Sequence, residues 1–101
     1  MPEPKILSVV WTERALQHAI SIRKYLQEHF SSKEVDHFVA LLRAFEFTVR
    51  PHPKLYPETV FQKAVRRAVL NKVCSVFYRI YNHKIEILAI LGNRCDLDKW
   101  L

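Results

Sequence analysis

The sequence contains a single glycine, Gly92, and only two cysteines, Cys74 and Cys95, among 101 residues. One glycine excludes the glycine-rich loops that cradle phosphate groups and also glycine-based flexible linkers. Two cysteines are too few for the disulfide framework of a small secreted domain. No apolar run approaches the ~20 residues that a bilayer-spanning helix needs, and the first residues lack the basic start of a signal peptide. These absences favour a soluble cytoplasmic protein.

Half of the residues are hydrophobic and 12% are aromatic, which is enough for a folded core in one domain over residues 1–101. The formal net charge is +6, and it is unevenly distributed. Residues 1–61 contain eight Lys/Arg and seven Asp/Glu, whereas residues 62–101 contain eight Lys/Arg and three Asp/Glu. A basic C-terminal part favours an acidic or polyanionic partner, although scattered lysines also serve to keep a small protein in solution.

Known catalytic and metal-binding patterns do not match this chain. The five histidines show no ligand spacing with each other or with the cysteines, so we predict no metal site and no cofactor. No serine lies in a nucleophile-elbow context. Cys74 falls in a predicted strand, where a cysteine most often acts as a small buried hydrophobe.

The first half of the chain is typical of a strand followed by two helices. Residues Lys5–Trp11 are rich in β-branched side chains and predict a strand, and Thr12 is a good N-cap for a helix over residues 13–30. Ser31 and Glu34 form a capping-box pattern that predicts a second helix over residues 33–49. The first helix presents a broad apolar stripe at helical spacing, formed by Ala15, Leu16, Ala19, Ile20, Ile22, Leu26 and Phe30.

The second half predicts three strands after a proline-bearing loop over residues 50–60. The strands are Lys63–Leu70, Val73–Tyr81 and Lys84–Leu91, and the turns between them lack the favoured Asn-Gly pair. The last strand is almost wholly apolar, which indicates a central position. The prediction is an α+β fold of order β-α-α-β-β-β, with an antiparallel sheet backed on one face by the helical hairpin and its other face exposed. Ser75 and Arg79 mark that exposed face.

Basic and aromatic residues are interleaved in this second half, as on surfaces that hold phosphates and stack bases. The tyrosines serve equally well as packing residues. Arg94 follows the end of the last predicted strand and either presents its charge to a ligand or pairs with Asp96 or Asp98. The candidate target-binding or RNA-binding residues are Lys63, Arg66, Arg67, Lys72, Arg79, Arg94 and Trp100.

One stretch of this half resembles a known family. Residues 76–80 are VFYRI, residues 85–91 are IEILAIL, and Asn93 and Arg94 follow. This pattern is similar to the signature of RelE/ParE-family toxins, the toxin halves of bacterial type II toxin–antitoxin modules. The resemblance extends upstream through the first strand, the two helices, the proline-bearing loop and Arg66-Arg67, and so covers nearly the whole chain. It implies a cognate acidic antitoxin, which we expect to use an apolar groove between helices and sheet together with the basic C-terminal half.

Members of this family differ in target: RelE-like toxins cut mRNA on the ribosome, and ParE-like toxins poison DNA gyrase. The arginine that ends the last strand of RelE-like members matches Arg94, but the arginine early in their preceding strand falls on Ser75, and their tail tyrosine falls near Trp100. A serine cannot supply the fixed charge that stabilises a phosphate transition state, and loss of one such donor costs ~10²–10³ in rate. The resemblance therefore favours a ParE-like plasmid stabilisation protein that binds gyrase.

The sequence is also compatible with two alternatives. The first is a RelE-like, metal-independent endoribonuclease, in which Arg94 would be catalytic and would hold the phosphate with Arg66 or Arg67 and Lys63. The second is a member that binds its antitoxin but does not inhibit growth.

Overall fold

The computed structural model describes residues 6–60 and 62–92, and its elements follow the predicted order β-α-α-β-β-β. Both helices lie close to their predicted positions, while the first and second strands are shorter than predicted. The elements are β1 (Ser8–Trp11), α1 (Glu13–His29), α2 (Ser32–Val49), β2 (Arg66–Val69), β3 (Cys74–Tyr81) and β4 (Lys84–Gly92).

Each helix begins at the cap that the sequence indicates. The Thr12 hydroxyl accepts a hydrogen bond from the Ala15 amide at 3.1 Å and donates one to the Ile87 carbonyl at 2.8 Å, so the cap also joins α1 to β4. At the start of α2 the Glu34 carboxylate accepts hydrogen bonds from the amide and the hydroxyl of Ser31. The bond from the hydroxyl lowers the pKa of Glu34.

The sheet is mixed, which corrects the predicted antiparallel arrangement. Its strand order is β1-β4-β3-β2, with β2, β3 and β4 antiparallel and β1 parallel to β4. Tight turns impose antiparallel pairing on the last three strands, but a helical crossover follows β1 and permits a parallel partner. The apolar β4 is central, as predicted, and both Ile85 and Ile87 are fully buried.

The main core lies between the helices and one face of the sheet. Phe45 of α2 is at its centre, with its ring centroid 5.8 Å from that of Tyr56 and 5.6 Å from that of Tyr78. The Tyr78 hydroxyl donates to the Pro53 carbonyl at 2.7 Å and thereby ties the proline-bearing loop to β3. Burial raises the pKa of Tyr78 to about 12, so this phenol keeps its proton at physiological pH.

Replacing Tyr78 with phenylalanine removes this hydrogen bond and preserves the ring. The Pro53 carbonyl would then lose its partner in a half-buried position, and we expect a loss of about 1 kcal/mol in the free energy of unfolding. For a domain of this size that loss lowers the unfolding temperature by roughly 4–8 °C. Thermal unfolding followed by circular dichroism measures it, and an unchanged midpoint would show that the loop tie contributes nothing.

The core buries only part of the apolar stripe of α1. Ala15 is fully buried, but Leu16, Ile20 and Phe30 are half-exposed. The sheet contacts one flank of α1, because a helix laid on a sheet can bury only about a third of its circumference. Apolar surface therefore remains exposed along the helical hairpin.

The second face of the sheet is covered at its centre, which corrects the prediction that it is exposed. Val65, Phe77, Ala89 and Leu91 form a separate buried cluster there, and Ser75 is buried as well. Side chains on both faces of β3 are buried from Cys74 to Tyr78, and Ser75 is the one polar residue among these five.

Candidate functional site

The basic residues singled out in the sequence do not converge on one site. Lys63 precedes β2 and Lys72 follows it, so they lie at opposite ends of this strand. Alternation along β2 places Arg66 on the helical side of the sheet and Arg67 on the outer side. Arg94 and Trp100 lie outside the described residues.

Arg66 is held within the fold by the proline-bearing loop. Its guanidinium donates to the Tyr56 carbonyl at 2.6 Å and to the Lys54 carbonyl at 3.3 Å, and it forms an ion pair with Glu58 at 3.5 Å. The Arg67 amide adds a bond to the Pro57 carbonyl at 3.0 Å. β2 therefore anchors the loop to the edge of the sheet.

Arg67 and Arg79 both belong to the outer side of the sheet. The Arg67 Nε donates to the Ser75 hydroxyl at 3.1 Å, so a guanidinium stands beside this serine. Arg79 bonds Glu86 through Nε at 3.0 Å and through Nη2 at 2.9 Å. Its guanidinium carbon lies 4.5 Å from the centre of the Tyr81 ring.

An apolar groove of about 550 Å³ opens between the helical hairpin and the sheet, in agreement with the predicted groove. Cys74 and Gly92 belong to the strands below it, and burial raises the pKa of the Cys74 thiol, so this cysteine acts as an apolar surface. The lining residues are Ser21, Ile22, Tyr25, Leu26, Phe30, Glu34, His37, Phe38, Asn71, Val73, Cys74 and Gly92.

Exposed aromatic rings line one side of this groove. The Tyr25 ring centroid lies 4.6 Å from that of His29 and 6.1 Å from that of Phe30, and Tyr25 and Phe30 are each more than half exposed. On the opposite side, Val73 of the β2–β3 turn is also exposed. Exposed aromatic and aliphatic side chains around an apolar concavity are typical of a protein-binding site. No sequence pattern predicts the aromatic cluster, because Phe30 belongs to the apolar stripe of α1 while Tyr25 and His29 lie outside this stripe.

His18 fastens α1, which forms one wall of the groove, to β4. Its Nδ1 accepts a hydrogen bond from the Ile90 amide at 3.2 Å, beyond the point where β1 stops pairing with β4. Only the neutral imidazole can accept this bond. Burial, and secondarily the charge of Arg14, lower the pKa of His18.

A depressed histidine pKa makes folding stability depend on pH. The unfolded chain protonates His18 near pH 6.5, while the folded chain resists protonation, so the free energy of unfolding falls as the pH drops below about 6.5. The decline levels off once the pH is below the pKa of the folded state. Urea unfolding between pH 7.5 and 5 measures it, with His18→Gln as the variant that keeps an acceptor oxygen and loses this slope. Equal slopes in both proteins would contradict the assignment to His18.

No helix in the described part of the chain is long and apolar enough to cross a membrane. Within residues 6–60 and 62–92, no three His, Cys, Asp or Glu side chains are grouped so that they could hold a metal ion.

The fold and the site define a small, basic α+β protein with an apolar groove between its helical hairpin and its sheet. Comparison with known proteins identifies the class further. Residues 9–96 match the family model described as the ParE toxin of the type II toxin–antitoxin system, parDE. The chain belongs to the ParE toxin family, as its resemblance to RelE/ParE toxins implied.

A solved structure supports the same fold. The chain is similar to a protein of the chromosomal ParDE toxin–antitoxin system from P. aeruginosa, with a TM-score of 0.65 and 17% sequence identity. The similarity covers 87% of this chain and 97% of the other. No curated protein matches the chain in sequence.

Proposed function

We propose that this chain inhibits bacterial growth by binding DNA gyrase in the cytoplasm and that a cognate acidic antitoxin neutralises it. Membership of the ParE toxin family, through a match over residues 9–96, is the observation that carries this proposal. The target and the neutralising partner are those that the family resemblance implies. Action by binding also agrees with the engagement of Arg66 and Arg79 inside the fold, which leaves neither guanidinium poised over a substrate phosphate.

The groove is the surface that we assign to the antitoxin. Its apolar lining suits the apolar side of an amphipathic segment, and the net charge of +6 attracts an acidic chain. Because charge mainly accelerates encounter, we expect the association rate to fall as salt rises, with a smaller change in the dissociation rate. An association rate that does not respond to salt would contradict the electrostatic part of this assignment.

One observation favours the alternative of an mRNA endoribonuclease. The Arg67 guanidinium stands 3.1 Å from the Ser75 hydroxyl, measured from Nε, and brings a positive charge close to the position where RelE-like members carry an arginine. In that function Arg94 would be the catalytic residue, with Lys63 and Arg66 or Arg67 on the phosphate. The buried position of Ser75 speaks against substrate access at this point.

Induced expression of the chain alone, with DNA and protein synthesis pulse-labelled during the first minutes, tests the proposal. Binding to gyrase predicts that DNA synthesis falls first. If protein synthesis falls first, gyrase is not the primary target and the ribosome takes its place. If neither falls while the purified chain still binds its antitoxin, the chain is a member that does not inhibit growth.

A further inference from the structure

The β3–β4 hairpin carries an exposed tyrosine that is held in place from below. Tyr81 is the last residue of β3, and 58% of it is exposed. Its ring lies against the guanidinium of Arg79, which Glu86 fixes from the adjacent strand through two contacts of 3.0 and 2.9 Å. Arg79 and Glu86 are direct cross-strand partners, so the three side chains form one stacked unit on the outer side of the sheet.

The turn beyond this unit is strained. Asn82 and His83 have φ angles of 51° and 60°, which is the left-handed region. Asparagine tolerates this conformation, but histidine pays a steric cost there, and the hairpin would be easier to form with glycine. Strained backbone of this kind persists where the surroundings hold it, and it is concentrated at binding and catalytic sites.

From this geometry we propose that the tip of the β3–β4 hairpin is the surface that contacts the protein target, with Tyr81 as its anchor. The inference rests on the proposed function, namely growth inhibition by binding. Tyrosine and arginine are over-represented among the residues that dominate binding energy, and a side chain that is already ordered loses little entropy on binding. The partner is a protein surface with an apolar pocket for the ring and a carboxylate that faces the exposed Lys84.

A nucleic acid fits this surface less well. The charge of Arg79 is neutralised by Glu86 at 2.9 Å, and the Glu86 carboxylate would repel a phosphate. A nucleic-acid site needs several cations along the backbone path. Residues 79–86 contain only two Lys or Arg side chains, Arg79 and Lys84, and Arg79 is paired with Glu86.

The location separates this surface from the antitoxin groove. The groove lies between the helices and the sheet, at the end marked by the β2–β3 turn and Gly92. The β3–β4 turn lies at the opposite end of β4. Two exposed tyrosines therefore mark two surfaces, Tyr25 at the groove and Tyr81 at the hairpin, with exposed fractions of 56% and 58%.

The test compares Tyr81→Ala with Tyr25→Ala as its matched control. The first readout is inhibition of supercoiling by purified DNA gyrase together with growth inhibition in cells, and the second is affinity for the cognate antitoxin. For Tyr81→Ala we expect the half-inhibitory concentration to rise about 30-fold while antitoxin affinity stays within about twofold. Tyr81→Phe should retain inhibition because it keeps the ring, and Glu86→Gln should lose part of it because Arg79 is released.

Several results would overturn the proposal. If Tyr81→Ala inhibits gyrase as well as the wild type does, the hairpin does not contact the target. If antitoxin affinity falls as much as inhibition does, the hairpin belongs to the antitoxin interface. Thermal unfolding of Tyr81→Ala separates stability from contact: if the unfolded fraction at the assay temperature accounts for the lost inhibition, the loss was one of folding and not of contact. The wild-type arm tests the proposed function separately. If the wild type inhibits growth but has no effect on gyrase, gyrase is not the target, and the growth assay alone tests the role of Tyr81. If the wild type does not inhibit growth, both the proposed function and this inference are wrong.

Discussion

Replacing Tyr25 with alanine is expected to weaken binding of the cognate antitoxin about 30-fold while leaving the free energy of unfolding within about 0.5 kcal/mol. Tyr25 forms one side of the groove, and its ring packs against His29 and Phe30 rather than into the core. Truncation therefore removes contact area for a partner and takes little from the fold. Titration calorimetry with purified antitoxin measures the loss.

Phe47→Ala is the control for this prediction. Phe47 is another large exposed aromatic residue, 83% exposed on α2, but it does not line the groove. If non-specific hydrophobic contacts of exposed aromatic residues drove antitoxin binding, both substitutions would weaken binding to a similar degree. A loss confined to Tyr25→Ala supports the groove, and an equal loss in Phe47→Ala contradicts it.

A charge placed across the groove would extend the same test. Val73→Asp puts a carboxylate on the side of the groove opposite Tyr25. This carboxylate would repel an acidic antitoxin, and it would lose its own hydration against an apolar side chain of the antitoxin. The combined effect with Tyr25→Ala need not equal the sum, because residues of one contact site are energetically coupled. Tyr25→Ala and Val73→Asp should both remain toxic, and the antitoxin should relieve their toxicity less than it relieves that of the wild type.

The sequence predicts the local elements well because their signals are local. Thr12 caps α1, Ser31 and Glu34 start α2, and the continuous apolar run of β4 marks the central strand. The parallel pairing of β1 with β4 has no such signal, since it joins strands from opposite ends of the chain. It depends on where the helical hairpin places β1, which no short pattern encodes.

The candidate site is less accessible to sequence reasoning for a related reason. An arginine in a strand has the same sequence pattern whether it faces a ligand or a carbonyl. Arg66 donates to a carbonyl of the proline-bearing loop, and Arg79 donates to a glutamate on the adjacent strand. Tertiary structure brings both partners into position. Likewise, the helical spacing of α1 predicts an apolar stripe but not the fraction that the sheet leaves exposed for a partner.

Replacing Phe45 with alanine is expected to have the largest effect on stability, a loss of about 3–5 kcal/mol in the free energy of unfolding. Phe45 is 3% exposed and lies between Tyr56 of the proline-bearing loop and Tyr78 of β3. Removing the ring creates a cavity and also withdraws the surface on which both tyrosines pack. Since the free energy of unfolding of a domain is only about 5–15 kcal/mol, this substitution would remove a large share of it.

Phe47 again provides the control, because it has the same side chain two residues along the same helix and points to solvent. Phe47→Ala should change the free energy of unfolding by no more than about 0.5 kcal/mol, since it removes no buried contact and alanine favours helix. Urea denaturation of both variants against the wild type gives the comparison. A similar urea midpoint for the two variants would mean that the packing of Phe45 against Tyr56 and Tyr78 does not stabilise the fold. A large shift for Phe45→Ala alone would show that α2 and the proline-bearing loop are stabilised through this one ring.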